Sequence, residues 1–358
     1  MIFREFPSVD DVHQQAGCPG VLKVENKREV AVQHETAQAI ACSTRFLEMD
    51  EFIKAVRGAD MDFIPMGTAD YAASLTVVNI GDLLLQRGEE GPHITRGSIS
   101  QGMTQLLLPV PCSAAIPPEV NGTTAGESDC FLLAPGSEIH VVCRSRQRWV
   151  ALGVPDDEMR LLTAQDDRLT SSHGSAHLLH LPPKLAGRML GALGAVCDLA
   201  ENMGGYFGRY DFTHSLGGGI REMLTETFLA ANPETGSKPR AARDAMRLLR
   251  LAEEYLRSNI ARPIFLDELC GALAVSPRRL HQVFITTCGL SPQVYLKRQR
   301  LMLVRRALRS GGADARLVKS VALGHGFWHL GNFARDYRAM FNECPSDTLL
   351  AQRTSRLH

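Results

Sequence analysis

Two short stretches near the C-terminal end carry side chains that are suited to reading the edges of DNA bases. Arginine can grip guanine through two hydrogen bonds at once, and glutamine or asparagine can grip adenine in the same way. We expect these side chains to point outward from two helices, with Asn332 and Arg335 as the best base readers. The outward set of the first helix is Arg278, Arg279, His281, Gln282 and Ile285, and that of the second is His329, Gly331, Asn332, Arg335 and Arg338.

Each stretch belongs to one copy of a repeated helical pattern. In the first copy, a short helix over 267–273 is followed by a turn and by a second helix that Ser276 caps and Pro277 begins. The second copy has a short helix over 318–323, a turn over 324–326 and a helix over 329–341. The pattern predicts two helix-turn-helix units, because matching buried positions lie 52 or 53 residues apart: Cys270 with Ala322, Leu280 with Phe333, and Phe284 with Tyr337.

A basic helix over 292–309 is predicted to join the two units. At about 1.5 Å per residue, this helix sets the units about 27 Å apart. Successive major grooves on one face of B-DNA lie about 34 Å apart, so two units at this spacing could enter neighbouring grooves. The basic side chains of the helix are expected to meet phosphates or other side chains of the protein, and Arg305 is expected to meet phosphate. Trp328, beside Phe327, is interpreted as core packing rather than as a residue stacked on the DNA backbone.

Residues 243–350 resemble the DNA-binding domain of the AraC/XylS family of bacterial regulators. The motifs that carry the resemblance include Leu273-Ala274-Val275-Ser276, Gly289-Leu290-Ser291-Pro292, Gly326-Phe327 and Pro345-Ser346. Within the family, Leu296-Lys297-Arg298 and the stretch 327–337 are similar to the branch that contains the ethanolamine-operon regulator. The resemblance implies an activator that binds double-stranded operator DNA and RNA polymerase, forms a homodimer and senses a small-molecule effector through its front domain.

Charge is divided unevenly along the chain. Residues 240–358 contain 20 Lys and Arg against nine Asp and Glu, whereas residues 1–239 contain 19 against 30. The formal net charge of zero therefore hides a basic tail, which suits a polyanionic partner such as DNA.

The composition indicates a globular protein in a reducing compartment. Apolar residues make up 44% of the chain and charged residues 22%, which does not fit a disordered chain. The nine cysteines form no CxxC pair, which argues against a disulfide framework and against a structural zinc site. The first residues lack the basic-then-apolar order of a secretory signal, and no apolar run is long enough to span a bilayer. We therefore expect a bacterial cytoplasmic protein associated with the nucleoid.

The predicted fold class is α+β, with a strand-rich front and an all-helical tail. The clearest strand runs are 74–79, 82–86, 103–110, 131–133 and 139–143, with a small helix over 49–57. Many short strands separated by Gly, Pro and Asn turns predict a β-barrel or a sandwich. The strand-rich segment resembles a cupin-like sensor barrel, and a barrel of that size can hold one small ligand. The predicted order is a cupin-like sensor domain over 1–181, a helical packing or dimerisation segment over 182–231, a linker over 232–240, the DNA-binding domain over 241–350 and a tail over 351–358.

Besides an effector-responsive regulator, two functions remain open. The first is a cupin-type metalloenzyme fused to a DNA-binding module. The stretch 135–140 is faintly similar to a cupin metal motif, but His93 has no second histidine or matching Glu at the required spacing. We therefore expect no metal and no cofactor, and we interpret His93 and His140 as barrel or surface histidines. The sequence does not identify the residues that bind the effector.

The second open function is a regulator that senses oxidation through a cysteine. Cys270 occupies a packing position and Cys288 follows a helix end, and buried cysteines are usually inert. Because the chain shows neither Ser-His-Asp nor P-loop spacing, we expect no enzymatic activity.

Overall fold

The computed structural model describes residues 41–66, 71–111, 116–164, 176–233, 240–259, 262–310 and 317–355. Strands expected between 21 and 40 lie outside these residues. The strands are β1 (Ala41–Phe46), β2 (Ala59–Pro65), β3 (Ala73–Ile80), β4 (Leu83–Glu90), β5 (His93–Ile99), β6 (Met103–Val110), β7 (Glu119–Val120), β8 (Thr123–Thr124), β9 (Asp129–Leu133), β10 (Glu138–Cys143), β11 (Gln147–Pro155), β12 (Ala176–His180) and β13 (Asn232–Pro233).

The helices divide between the two halves of the chain. Those of the front half are α1 (Met49–Ala55), α2 (Asp156–Thr163), α3 (Pro183–Met203) and α4 (Tyr210–Ala230), with a 3-10 turn over Gly204–Gly208. Those of the tail are α5 (Arg240–Ser258), α6 (Leu266–Ala272), α7 (Pro277–Cys288), α8 (Pro292–Ser310), α9 (Val318–Gly324), α10 (Leu330–Phe341) and α11 (Pro345–Ser355). The expected tail over 351–358 therefore begins inside α11. None of the helices in the described ranges is long and apolar enough to cross a membrane.

The front half is a β-rich domain of two antiparallel sheets. The larger sheet has the order β1-β3-β4-β11-β6-β9-β12-β13, and the smaller has the order β2-β5-β10-β7-β8. Strand β3 of the larger sheet packs on both faces, since successive side chains of a strand point to opposite sides. On β3, Val78 and Ile80 pack beneath the helices, whereas Leu75 and Val77 pack with α1. The α+β prediction is confirmed, but the described strands form two sheets rather than one closed barrel.

Helices α3 and α4 cover the outer face of the larger sheet. Met189, Leu193 and Cys197 of α3 are buried in one apolar cluster with Leu85 and Leu152 of the sheet. The apolar stripe of α3 thus packs within its own domain. Of the two expectations for the segment 182–231, packing and dimerisation, this arrangement fits packing. Helix α4 begins at Tyr210, inside the predicted helical segment 182–231, and runs through the three glycines at 217–219.

The tail helices also pack directly on the front domain. Leu249 and Leu256 of α5 share an apolar cluster with Ile94 and Val142 of the smaller sheet. Met302 of α8 is buried in a second cluster, whose other members come from α1, β1, β2, β3 and β4. The helical domain is therefore held against the β-rich domain through the same helix that joins its two helical units.

Candidate nucleic-acid interface

The first helix-turn-helix unit consists of α6 and α7. Its turn contains Ala274 in a left-handed conformation, with φ 51°. The Ser276 hydroxyl accepts a hydrogen bond from the Arg279 backbone N–H at 3.2 Å, and Pro277 occupies the first helical position. These are the two features from which the sequence predicted the start of this helix. Helix α7 ends at Gly289, whose φ of 70° is the left-handed conformation that glycine adopts readily.

The second unit consists of α9 and α10 and repeats the first. Its turn contains Gly326 with φ 77°, and α10 ends at Asn342 with φ 56°. The two left-handed helix ends, Gly289 and Asn342, are 53 residues apart, the same offset as the buried aromatic pair Phe284 and Tyr337. Both of those aromatic side chains are fully buried. The predicted duplication is therefore present in the backbone as well as in the core.

The predicted base-reading side chains lie on accessible faces of α7 and α10. Arg279 is half-buried, and the other predicted readers are exposed: Arg278, His281 and Gln282 on α7, and His329, Asn332, Arg335 and Arg338 at the start of α10 or on it. Arg335 is 73% exposed and has one carboxylate, that of Asp336, at 4.0 Å. Neither Arg278 nor Arg338 forms an ion pair with any other residue in the described ranges. Each helix thus presents free hydrogen-bond donors on one surface.

Arg300 of α8 lies between the two units. Its guanidinium carbon is 5.2 Å from the ring centre of Phe265, which precedes α6, and 5.2 Å from that of Phe327, which precedes α10. A cation over an aromatic face contributes about 0.5–2 kcal/mol, depending on how well water is excluded. Burial lowers the pKa of Arg300. One side chain therefore contacts the entry of both units and helps to fix their relative orientation.

Three arginines of α8 contact carboxylates of the front domain. Arg305 is 6% exposed, and its guanidinium lies 2.5 Å from Glu48 and 3.0 Å from Glu343. Arg306 lies 3.2 Å from Asp62, and Arg309 lies 3.0 Å from Glu48. We call the four front-domain carboxylates that contact these arginines the acidic patch: Glu48, Asp50, Glu51 and Asp62.

The prediction that Arg305 meets phosphate does not fit this arrangement. Its charge is already neutralised by two carboxylates, and its side chain is 8% exposed. No local feature of the chain indicates this pairing, because Glu48 precedes Arg305 by 257 residues. Arg298 is engaged in the same way, since it donates a hydrogen bond to the backbone carbonyl of Pro65.

Trp328 is 70% exposed, so its interpretation as core packing is wrong. Phe327 takes the core position instead, at 9% exposure, and packs on Phe333 with ring centres 5.1 Å apart. Two adjacent residues at the start of a helix cannot both point inward. The ring of Trp328 therefore lies in solvent directly before α10. Trp328 therefore stands next to the predicted base readers.

A buried polar network joins α5 to the smaller sheet. The Tyr295 hydroxyl donates to Glu253 at 2.7 Å and accepts from Arg96 at 3.3 Å. His140 lies 3.8 Å from the same Glu253 carboxylate, and burial lowers the pKa of His140. The expectation that His140 is a barrel or surface residue is thus too simple, because it is buried where β10 meets α5.

A cavity lies between the two sheets of the front domain. Its volume is about 100 Å³, and its walls are mostly apolar. Among the few polar side chains that reach it are Glu90, His93 and Gln105, each at most 4% exposed. His93 is stacked on Phe63 with ring centres 4.8 Å apart. Sequence reasoning missed Glu90 and Gln105, although a polar residue inside an apolar strand run, as in β6, was the available signal.

Glu90 and His93 form a buried pair in this cavity. Burial alone would lower the pKa of His93, but the Glu90 carboxylate, Cys143 and the Gly91 carbonyl together outweigh burial and raise that pKa to about 10. Burial raises the pKa of Glu90 itself. Within the described ranges, no three His, Cys, Asp or Glu side chains are grouped closely enough to hold a metal ion.

Both cysteines that were weighed as redox sensors are buried. Burial raises the pKa of Cys288 to about 12 and raises that of Cys270 above its usual value. The thiolate is the reactive form, so both side chains behave as small apolar residues at neutral pH. Cys270 lies where α6 packs against the rest of its unit, as the repeat pattern predicted.

Comparison with known proteins bears on the tail. Residues 269–351 match the model of a family described as a helix-turn-helix domain. The XylDLEGF operon transcriptional activator of Pseudomonas putida is 38% identical over 96 residues, which are 27% of this chain and 30% of that protein. The tail of this chain is a helix-turn-helix domain of the AraC family. This AraC-type domain is also similar to the HTH-type transcriptional activator RhaS of Klebsiella pneumoniae, 30% identical over 127 residues, 36% of this chain and 44% of RhaS.

The similarity is confined to part of each relative, since the chain spans 30% of the length of the first Pseudomonas putida activators it matches. Among solved structures, a "probable AraC family transcriptional regulator" from Rhodopseudomonas palustris CGA009 is 40% identical, with 30% of this chain and 97% of that one covered and a TM-score of 0.27. The AraC-like transcriptional activator CuxR is 20% identical, with 78% and 99% covered and a TM-score of 0.39. At these TM-scores neither alignment describes the arrangement of the whole chain.

Proposed function

We propose that this protein is a sequence-specific DNA-binding transcription regulator, an activator, that responds to a small-molecule effector. The observation that carries the proposal is the pair of matched helices, α7 and α10, whose outward faces present arginine, glutamine and asparagine side chains. Such side chains read guanine and adenine in the major groove. Helix α8 has 19 residues, which at about 1.5 Å each keeps the two units close to one turn of B-DNA apart.

Arg278, Gln282, Asn332 and Arg335 are the proposed base readers. Arg279, His281, His329 and Arg338 surround them on the same surfaces and would contact bases or the adjoining phosphates. Arg305 is left out of this set because Glu48 and Glu343 already hold it.

The proposed effector site is the cavity between the two sheets. Apolar walls with a few buried polar groups are the usual composition of a small-molecule site. A ligand in this cavity would touch β2, which lies directly under α8, and so could alter the contact between the acidic patch and the arginines of α8. Regulation would be a shift of population between arrangements that differ in how freely the two units reach their DNA sites.

The remaining partners are proposed from the AraC-type domain. RNA polymerase would be the partner in activation, and a homodimer would place two such domains on one operator, in the bacterial cytoplasm and nucleoid. The similarity of Leu296-Lys297-Arg298 and of 327–337 to the ethanolamine-operon branch makes amines a reasonable first group of effectors to screen.

The deciding experiment is a footprint of the full-length protein on genomic DNA fragments, selected by binding and sequenced. We expect a protected site with two half-sites about one helical turn apart, and we expect Arg335→Ala to weaken protection of one half-site. Equal binding to random and genomic duplexes, with no protected segment, would refute the proposed function.

A further inference from the structure

The cavity of the front domain contains three buried polar atoms that have no hydrogen-bond partner within the described ranges. They are Oε2 of Glu90 and both amide atoms of Gln105, Nε2 and Oε1. Burying a polar atom without a partner costs free energy, so folded proteins rarely keep one without a reason. Three such atoms in one apolar cavity mark the positions at which a ligand would be held.

Gln86 lines the same cavity and provides a comparison, because both atoms of its amide are hydrogen-bonded to the protein backbone. Its Oε1 accepts from the Arg57 backbone N–H at 2.8 Å, and its Nε2 donates to the Arg57 carbonyl at 2.9 Å. Both halves of the Gln86 amide thus fasten the segment between α1 and β2. Gln105, on β6, makes neither kind of bond although it is equally buried.

The amide of Gln105 is nevertheless held in one place by close packing. A Cβ at Gly58 would lie 2.4 Å from its Nε2, and a Cβ at Gly153 would lie 2.9 Å from it. Only glycine leaves room for the amide at these two positions. The amide is therefore positioned by the backbone around it, while its donor and its acceptor remain available to a molecule in the cavity.

Glu90 is oriented in a similar way. Its Oε1 accepts a hydrogen bond from Trp149 Nε1 at 2.8 Å and lies 3.7 Å from His93 Nε2. His93 is held in turn, because its Nδ1 donates to the Gly91 carbonyl at 2.8 Å. The carboxylate is therefore fixed through Oε1. Its other oxygen, Oε2, is an acceptor that has no donor among the described residues.

We propose that this cavity binds a compact ring compound that donates from a hydroxyl or amino group to Glu90 and pairs a carbonyl or amide group with Gln105. The ring would contact the apolar walls, and its two polar ends would form hydrogen bonds with the three unpartnered atoms. A carboxylate at the end that meets Glu90 is excluded, because like charges repel strongly in a buried site. This inference rests on the proposed function only in calling the compound an effector.

Binding is tested on the full-length protein with 4-hydroxybenzamide and 4-aminobenzamide as donor probes, against benzamide and benzoate. We expect the donor probes to raise the melting temperature and to bind measurably by calorimetry, and benzoate to do neither. Glu90→Gln should weaken binding of the donor probes about 10- to 100-fold, the usual effect of losing a hydrogen bond to a charged group. A larger shift with benzoate than with the donor probes, or no shift with any of the four, would overturn the inference.

A matched pair of variants separates a ligand-binding glutamine from a structural one. Gln105→Leu removes two unpartnered polar atoms, so we expect it to keep or raise the melting temperature while abolishing the shift caused by the donor probes. Gln86→Leu breaks two good hydrogen bonds and should lower the melting temperature. If Gln105→Leu destabilises the protein as much as Gln86→Leu does, Gln105 is structural and the inference fails.

The two proposals fail separately. A protein that protects a specific DNA site but binds none of the four probes keeps its proposed function and loses this inference. One that binds the donor probes, with the expected response of Glu90→Gln and Gln105→Leu, but protects no DNA site keeps the ligand class and loses the assignment as a regulator.

Discussion

Arg305 of the helix that joins the two DNA-binding units is paired with Glu48 of the front domain, with Nη2 and Oε2 2.5 Å apart. The guanidinium also lies over the ring of Phe341, 4.6 Å from its centre. Its side chain is 8% exposed and that of Glu48 is 29% exposed, so water screens the pair only in part. The most basic helix of the tail is thus turned toward its own acidic domain, at the surface where both domains share an apolar cluster.

We expect Glu48→Gln combined with Asp50→Asn to raise DNA affinity in the absence of effector. The two changes remove two of the carboxylates that contact Arg309 and one of the two that contact Arg306, and so loosen these arginines and lower the repulsion of DNA phosphates. Each arginine released to a phosphate should steepen the dependence of log affinity on log salt by about one unit. Affinity measured by fluorescence anisotropy at several salt concentrations tests this.

Glu51→Gln is the matched control, since Glu51 is 59% exposed and touches only Arg309, at 3.7 Å, among the described residues. It should leave affinity unchanged.

Arg305→Ala should lower the free energy of unfolding by about 1–3 kcal/mol, because two carboxylates lose a charged donor. A uniform loss of DNA affinity from Arg305→Ala, with stability intact, would show that Arg305 meets phosphate after all.

Arg335→Ala should cost about 1–3 kcal/mol of binding free energy at the cognate site and relax the preference at one base pair. Arg335 is 73% exposed on α10 and has only a weak contact with Asp336, so its removal should not disturb the fold. Arg188→Ala, on α3 and remote from the tail units, is the control and should bind as the unchanged protein does. An equal loss on every DNA sequence would place Arg335 on the phosphate backbone instead of a base.

The helical repeat was predictable because its signals are local. Ser276 and Pro277 mark the start of α7 by their own chemistry, and Phe284 and Tyr337 mark equivalent core positions by their spacing. The pairing of Arg305 with Glu48 was not predictable in this way, because it depends on where two distant segments meet. A basic helix by itself suits a phosphate backbone as well as it suits an acidic protein surface.

The candidate effector site was not predictable from the sequence for the same reason, because it depends on where distant segments meet. Gln86 follows and Gln105 precedes a run of three leucines in its strand, and nothing in the sequence distinguishes the two roles. Only the fold shows that the Arg57 backbone meets the first and that two glycines enclose the second. Similarly, a tryptophan beside a phenylalanine offers two candidates for one core position, and the turn before α10 decides that Phe327 takes it.

Trp328→Ala should weaken DNA binding while leaving the melting temperature within about a degree of the original value. The ring is 70% exposed, so its removal creates no cavity, whereas an exposed aromatic ring beside α10 can stack on the sugar-phosphate backbone. Phe327→Ala is the contrasting variant, because that side chain is buried and its loss should cost about 3–5 kcal/mol of stability. Unchanged affinity after Trp328→Ala would remove Trp328 from the interface.

Gly326→Ala should destabilise the second unit and abolish binding to one half-site. Gly326 has φ 77°, and a Cβ there would lie 2.9 Å from Cβ of Pro263 and 3.3 Å from Nη1 of Arg300. Strain at the turn and displacement of Arg300 should together cost about 1–3 kcal/mol. Gly324→Ala, two residues earlier and with no atom within 4 Å of its new Cβ, should be neutral or slightly stabilising. Unfolding curves and half-site footprints of both variants test this, and equal behaviour of the two would show that the turn tolerates a side chain at Gly326.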